Sequence, residues 1–576
     1  MRSKQIDNRL QIMRHSCAHL LAAAVLKLYP DVKLGMGPAI DNGFYYDFEF
    51  KNVISKDDLL KIEEEMLKIK KKWKKFEHFT KSVNEAREIE KNQPYKLELV
   101  RELAKQNKNF SFYKSGDFVD LCLGPHVKNA KEIGAFKLTS IAGAYWKGNE
   151  KNPMLTRIYG ICFKTQEELN KYLSQKLLAS KNDHKRIGSE LDLFSFHPEA
   201  PGFVFWHANG QRMRKPLVNF WQKMHDKAGY EEVSTPILLS EELWKKSGHW
   251  QNYKDKMYFT KKENKTLALK PMNCPGMMLI YKNNPHSYKE LPIRWRELGL
   301  VHRHEPSGVL NGLLRERAFR QDDAHIFCQE NQVEEEVKKI VKLELEIYSA
   351  FHFEKIRIEL STRPKKSIGT SKMWNTAEKI LKKVLKDLKL DYDISEGEGA
   401  FYGPKVDFHL TDSLDRPWQC GTIQVDFAMP SQFDLIYIDK DGSKKCPVMI
   451  HRAVFGSFHR FFGILIEHYG GVFPLWLAPV QVKIIPITDG QKDFGEIILE
   501  LFRGEGINVD FDDRSETMQA KIRDATLQKV PYMAIIGDKE IATNSVSVRT
   551  RDGKNLGAMR VSEFLQKLKE EIDKKI

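Results

Sequence analysis

The stretch Val301–Phe327, VHRHEPSGVLNGLLRERAFRQDDAHIF, decides how the rest of the chain reads. Two apolar-rich runs, Leu298–His304 and Arg317–Ile326, flank a loop rich in glycine and arginine, which predicts an antiparallel hairpin. A guanidinium stays protonated and presents a planar fork that suits phosphate oxygens, so Arg303 and Arg315 read as phosphate holders rather than bases or metal ligands. Glu305 follows Arg303 by two residues, and on a strand the two share a face and address one ligand. A second cationic run, His451–Phe461 (HRAVFGSFHRF), puts Arg460 where a strand from Val448 turns into a helix. Any one of these arginines would ordinarily be a surface ion pair. Their combination is what points to a nucleotide.

Outward from this centre, 576 residues exceed one compact core and suggest three or four domains at about 150 residues each. Hydrophobic residues make up 41% and charged residues 30%, a globular balance. The formal charge of +15 favours a polyanionic partner through counterion release, and equally suits a lysine-rich proteome with a solvated surface. Seven cysteines without a Cys-x-x-Cys pair argue against a disulfide framework and for a reducing compartment. The apolar run Cys17–Tyr29 carries His19 and Lys27 and lacks a cleavage site, so it is no signal segment. No stretch reaches the roughly 20 apolar residues of a membrane span. A soluble, cytoplasmic protein without a membrane partner is expected.

Composition divides the chain into residues 1–186, 187–478 and 479–576. In the first, Ser55–Lys75 has helical spacing with a basic end, Gly134–Gly160 reads as short strands, and Gln166–Arg186 as a lysine-rich connecting helix. The second alternates helices with strands, including Val425–Met429. The third runs strand, helix, strand, helix, then strands Tyr532–Ile536 and Ser545–Thr550 and a helix from Val561, which predicts a mostly parallel sheet.

The motifs resemble a known family. RHEPSG with FRQDDAHIF is similar to motif 2 of class II aminoacyl-tRNA synthetases, and GSFHRF to motif 3. Thr235-Pro236, taken to lie in a strand after a helix, resembles motif 1. LDLF at Leu191, EAPGFVFWH at Glu199, SGHW at Ser247, KPMNCPGM at Lys270, WQCGTIQVDF at Trp418 and MIHRAVFGS at Met449 are closer still to the threonyl-tRNA synthetase family, in order along nearly the whole chain. The resemblance implies an α+β multidomain fold: an antiparallel-sheet catalytic core, an N-terminal editing domain and a C-terminal α/β anticodon-binding domain. It implies ATP-dependent attachment of threonine to tRNA(Thr), with magnesium on the phosphates and a homodimer built around motif 1.

By the same resemblance Arg303 holds the α-phosphate and Arg460 the γ-phosphate. Glu305 and Phe319 meet the adenine, and Arg315 and Gln419 line the same nucleotide. His249 matches a residue that serves transfer to the tRNA end. Spacing alone does not join Cys274, His325 and His451, but each matches a zinc-ligand position, one zinc per subunit. Three ligands with an open fourth position mark a working zinc. Zinc there would bind the amine and hydroxyl of threonine and leave valine unmatched, since sites built on a hydroxyl reject the deoxy analogue by roughly 10⁴–10⁵-fold. Asp323 would accept the hydroxyl proton, with Met272, Gln321, Tyr402 and Gln424 around the amino acid.

Serine lacks only a methyl, worth about 1–3 kcal/mol, so a second, hydrolytic check is required. His15 and His19 share a helical face in HSCAH, and Cys122 and His126 follow in DLCLGPH. Read from the residues alone this set suits a metal as well as hydrolysis, though Ser16 stands where a metalloprotease needs glutamate. The resemblance points to metal-free hydrolysis of seryl-tRNA, with Lys96 and Asp120 in the same pocket. In the last domain Glu540 and Arg549 match anticodon contacts, where unstacked bases are read by side chains.

Three departures stand out. The chain starts at the editing domain rather than at a ubiquitin-like domain, His459 stands where the family has glutamate, and Leu123 replaces an arginine beside Cys122. A non-catalytic tRNA-binding derivative would have lost nucleotide or metal residues, and a hydrolase of misacylated tRNA would not need the central motifs. Both sets are present.

Overall fold

The computed structural model describes residues 2–105, 108–353 and 355–575. The chain divides into two compact units, Met1–Leu177 and Leu178–Ile576.

In the first unit the helix Arg2–Leu28 packs its Ala18, Leu21 and Val25 against Phe44, Tyr46 and Phe48 of the strand Gly43–Glu49. That strand lies in an antiparallel sheet with Met154–Phe163 and Ala135–Tyr145. The lysine-ended helix spans Lys56–Lys72, opened by a Ser55/Asp58 capping box, and buries Leu59, Ile62, Met66 and Ile69. Its last turn, Lys70 to Lys72, sets positive charge at the negative end of the helix dipole. A second sheet joins Glu77–Ser82, Asn109–Ser115 and Phe118–Leu121. Gly134–Gly160 forms two long strands rather than several short ones. The predicted connecting helix breaks after Lys181 and resumes as His184–Glu190.

The second unit is built on an eight-stranded sheet. Its order is Glu231–Glu232, Ile293–His302, Ala318–Cys328, Val448–Ser457, Pro417–Asp426, Lys405–Thr411, Ile356–Ser361 and Asp393–Ser395. All pairs but the two outermost are antiparallel, and the hairpin expected around Val301–Phe327 is the pair Ile293–His302 with Ala318–Cys328. Side chains alternate across a strand. Ala324, Ile326, Ile423, Val425 and Ile450 therefore join the core beneath helices Ala208–Lys227, Val333–Ser349 and Phe458–Tyr469. Asp323, His325, Gln424 and His451 fall on the opposite face. His325 sits directly across from His451, and His451 across from Gln424.

Three expectations need correction. Arg303 and Glu305 do not continue the strand, which ends at His302: Arg303 N–H still meets the Arg317 carbonyl at 2.9 Å, but His304 N–H turns to the Lys256 carbonyl at 2.8 Å, and Pro306 has no N–H with which to rejoin the ladder. Thr235-Pro236 lies in an extended link between Glu231–Glu232 and Leu238–Ser240, not in a strand, for the same reason. The sheet of the last segment is mixed: Val509–Phe511, Val482–Pro486 and Tyr532–Ile536 run parallel, while Ser545–Thr550 and Asn555–Arg560 are antiparallel. The short helix Asp538–Ala542 is no full crossover, so Ser545–Thr550 returns antiparallel, and a hairpin turn adds the last strand.

Candidate active and editing sites

Two cavities adjoin on the open face of the large sheet. The first, about 470 Å³, is lined by Arg303, Glu305, Arg315, Phe319, Gln419 and Arg460, all six residues expected at the nucleotide. Arg303 donates through Nε to the Pro271 carbonyl at 3.2 Å and lies 5.0 Å over the Phe319 ring. Glu305 pairs with Arg315 at 3.0 Å. Gln419 is aimed by Asp407, which accepts from its amide at 2.7 Å and also takes Thr422 Oγ1 at 2.8 Å. Arg460 rises from the first turn of its helix, capped by Ser457 Oγ accepting the Arg460 N–H at 3.0 Å. Its Nε is buried without a hydrogen-bond partner among the described residues, the state of a donor that awaits an anion. Asp322 accepts the N–H groups of Val454, Phe455 and Gly456 at 2.9 Å each and so shapes the turn before that cap.

His459, the departure in motif 3, does not face Arg460. Its Nδ1 lies 3.0 Å from Glu316 Oε1 and its ring meets Trp206 edge-on at 5.1 Å. Burial pushes the Glu316 carboxyl well up and the imidazole well down, so both groups are held in their neutral forms.

The second cavity, about 330 Å³, is lined by Met272, Gln321, Asp323, Tyr402 and Gln424 together with Cys274, His325 and His451. Arg303 and Gln321 line both cavities. One donor atom each from Cys274, His325 and His451 lies within 4.8 Å of the others, and all three residues are buried. Cys274 is brought in by the start of the helix Cys274–Lys282, the histidines by paired strands. His451 Nε2 rests on Asp426 Oδ2 at 3.1 Å, the carboxylate–imidazole arrangement that orients a metal ligand through its second nitrogen. His325 Nδ1 is buried with no partner among the described residues. Burial drives the Cys274 thiol well up, and a bound cation is what would make a thiolate tenable there. This donor set fits zinc.

Asp323 is held by the Asn273 amide at 3.0 Å, and burial raises its carboxyl to about 6 despite that bond. Tyr402 hydrogen bonds Gln424. His249 lines neither cavity. It is buried behind Met272, with Nε2 3.1 Å from the Met272 sulfur and Nδ1 2.8 Å from Ser247 Oγ, and burial lowers it to about 3. Asn273, Asp407 and Asp426 hold candidate site side chains and were passed over in the sequence reading. Asp426 alone left a signal, since it stands two residues from Gln424 on one strand and so shares its face.

In the first unit His15, His19, Cys122 and His126 also converge, their donor atoms within 4.8 Å of one another. Cys122 Sγ lies 3.4 Å from His15 Nε2 and 3.3 Å from His126 Nε2. Ser16 Oγ gives its proton to the Ile12 carbonyl, so at 3.0 Å it accepts from His126 Nδ1 and leaves His126 Nε2 with its lone pair. Asp120 gathers Lys96 at 2.6 Å, Tyr46 Oη at 2.8 Å and His19 at 3.5 Å. Burial lowers all three imidazoles and pushes the Cys122 thiol up to about 11, so the cluster is uncharged apart from the Lys96–Asp120 pair. Leu123 beside it is 90% exposed, a free apolar side chain at the rim. In the last segment Glu540 accepts the Gly537 N–H at 3.0 Å and Arg549 lies on the strand Ser545–Thr550. Among the described residues no hydrogen bond or ion pair joins these two.

Comparison with known proteins follows the same three regions. Residues 258–469 match the class II tRNA synthetase core domain shared by the G, H, P, S and T enzymes, and residues 481–571 match the anticodon binding domain. Residues 110–159 match the second additional domain of threonyl and alanyl tRNA synthetases. Fold and site thus define a class II aminoacyl-tRNA synthetase. Threonine–tRNA ligase from Clostridium tetani is 53% identical over 98% of this chain and 88% of its own. That from Carboxydothermus hydrogenoformans is 52% identical over 99% and 90%. The crystal structure of the RNA binding domain of threonyl-tRNA synthetase from Cryptosporidium parvum Iowa II is 39% identical with a TM-score of 0.66, over 67% of this chain and 98% of that one. The chain belongs to the threonine–tRNA ligase family.

Proposed function

We propose that the chain activates threonine with ATP, transfers it to tRNA(Thr), and hydrolyses seryl-tRNA(Thr) formed in error. The observation that carries this reading is the pair of adjoining cavities, one bearing the arginines and the other the Cys-His-His set, with Arg303 at their seam. A threonine carboxylate oxygen attacks the α-phosphorus and pyrophosphate leaves. The 3′-terminal ribose hydroxyl of the tRNA then attacks the acyl carbon and AMP leaves. Arg303 and Arg460 hold phosphate oxygens, where magnesium would supply further charge neutralisation, and Glu305, Phe319, Arg315 and Gln419 hold the nucleoside. Such chemistry is mostly positioning and charge stabilisation.

Zinc on Cys274, His325 and His451 would supply an open Lewis-acid position for the amine and hydroxyl of threonine. Asp323, fixed by Asn273, accepts the hydroxyl proton in a hydrogen bond, while Met272, Gln321, Tyr402 and Gln424 close around the side chain. His249 serves the transfer step. His15, His19, Lys96, Asp120, Cys122 and His126 orient water at the seryl ester without a metal, and Glu540 and Arg549 meet the anticodon. Residues 1–186, 187–478 and 479–576 carry these three tasks in the cytoplasm. Ile237 and Leu238, exposed beside Pro236, offer an apolar patch for a second copy in a homodimer.

The test is ATP–pyrophosphate exchange with metal analysis. We expect exchange with threonine and serine but not valine, and about one zinc per chain, lost together with exchange in Cys274→Ser. No exchange by metal-replete protein, or equal exchange with valine, would overturn the proposal.

A further inference from the structure

His184, outside every motif considered so far, is buried completely at the start of the short helix His184–Glu190. Its Nε2 accepts the Leu313 backbone N–H at 3.1 Å, and its Nδ1 meets Glu467 Oε1 at 2.6 Å. An imidazole that accepts at Nε2 must carry its proton at Nδ1, so the ring donates to Glu467 and both nitrogens are spent. Although Asp183, His184 and Glu467 lie close enough for a metal, no ring nitrogen remains to bind one.

The two partners of this ring belong to the two elements that carry the nucleotide arginines. Leu313 sits inside a closed turn, where Asn311 N–H donates to the Arg315 carbonyl and Leu314 N–H to the Asn311 carbonyl, both at 3.0 Å. Arg315 at the end of that turn lines the 470 Å³ cavity. Glu467 is on Phe458–Tyr469, the helix that carries Arg460 in its first turn, and its second oxygen is ion-paired with Arg416 at 2.6 Å. Arg416 lies over Trp418 at 5.3 Å, and Arg460 over the same ring at 5.9 Å. Gly312 holds φ +51°, and a Cβ there would stand 2.2 Å from His184 Nε2, so the turn rests directly on the ring.

We infer that His184 is a positioning residue for ATP: its imidazole pins the Asn311–Arg315 turn against the Arg460 helix and so sets the mouth of the nucleotide cavity. The inference rests on the proposal that this cavity seats ATP. Two substitutions separate its two bonds. Asparagine places a donor where Nδ1 was, keeping Glu467 and abandoning Leu313. Glutamine places an acceptor where Nε2 was, keeping Leu313.

Threonine-dependent ATP–pyrophosphate exchange, normalised by active-site titration, reads the difference. His184→Asn strands a buried N–H and should raise the KM for ATP about tenfold, with the KM for threonine moving less than about twofold. His184→Gln, which keeps Leu313 but releases Glu467, should rescue the KM for ATP in part. Gly312→Ala, which pushes the turn off the ring from the other side, should raise the KM for ATP and decides the matter should the His184 variants be insoluble. An unchanged KM for ATP in His184→Asn, an equal rise in both KM values, failure of glutamine to rescue, or an unaltered Gly312→Ala would overturn the inference. Loss of exchange in the unsubstituted chain would instead overturn the assignment of the cavity to ATP.

Discussion

Replacing Lys270 by methionine tests whether a buried ion pair holds the segment before Cys274 in place. Lys270 and Glu297 are 1% and 4% exposed. The ammonium donates to Glu297 Oε1 at 2.8 Å, Thr235 Oγ1 at 2.7 Å and the Thr235 carbonyl at 3.1 Å, which accounts for all three of its protons. Glu297 also accepts the Thr235 N–H at 3.0 Å and its hydroxyl at 2.9 Å. Methionine matches the stem but leaves the carboxylate buried with neutral donors only. Removing one member of a buried pair costs about 3–5 kcal/mol, because the other charge stays uncompensated. A second change, Glu297→Gln, removes that charge while keeping an acceptor for the Thr235 N–H, and should bring the loss down to about 1–2 kcal/mol. Amide hydrogen exchange along Ile293–His302 reads the opening free energy of this strand. A single variant that loses less than about 1 kcal/mol, or a double variant no better than the single, refutes the argument from charge. Lys270 directly precedes Pro271, whose carbonyl holds Arg303, so the single variant should also weaken ATP binding.

Three further outcomes are expected. Glu90 is 4% exposed, and burial first, then the charge of Asp120, raise its carboxyl from 4.5 to about 7. The folded state therefore holds a proton that the unfolded chain releases, so the contribution of this group to stability is greatest below pH 4.5 and falls by about 3 kcal/mol as pH rises through 7. Glu90→Gln should abolish that fall, seen as a higher urea midpoint of the first unit at pH 8 and no gain at pH 4. His249, lowered to about 3, is neutral at working pH, so His249→Ala should slow transfer to tRNA by about 10²-fold, leave exchange intact and remove no titration between pH 6 and 8; a matching loss of exchange counts against a role in transfer. Cys122→Ala or His15→Ala should leave exchange unchanged and let seryl-tRNA accumulate, and serine clearance at the original rate in both variants would remove the first-unit cluster from editing.

Much of the fold was readable because period-two runs and punctuating glycines and prolines are local signals. They revealed the hairpin around Val301–Phe327, the turn into the Arg460 helix and the order of elements after Val482. Strand order and direction are not local, and the antiparallel return at Ser545–Thr550 depended on a helix too short to cross the sheet. The candidate ligand and phosphate residues were legible through family motifs. Apart from the face that Asp426 shares with Gln424, their supports were not: Asn273 and Asp323 are fifty positions apart, Asp426 and His451 twenty-five, and His184 and Glu467 close only when the fold does. The His459 departure likewise made sense only once Glu316 stood opposite it.

The cross-strand pairing of His325 with His451 sets a rule for how this chain can change in evolution. One residue inserted within Ala318–Cys328 ahead of His325 would flip that histidine into the core and bring an apolar neighbour to the face that His451 occupies. One inserted beyond Cys328, after the paired segment, leaves both histidines where they are. Lineages of this enzyme should therefore vary in length freely outside the paired strands and almost never within them.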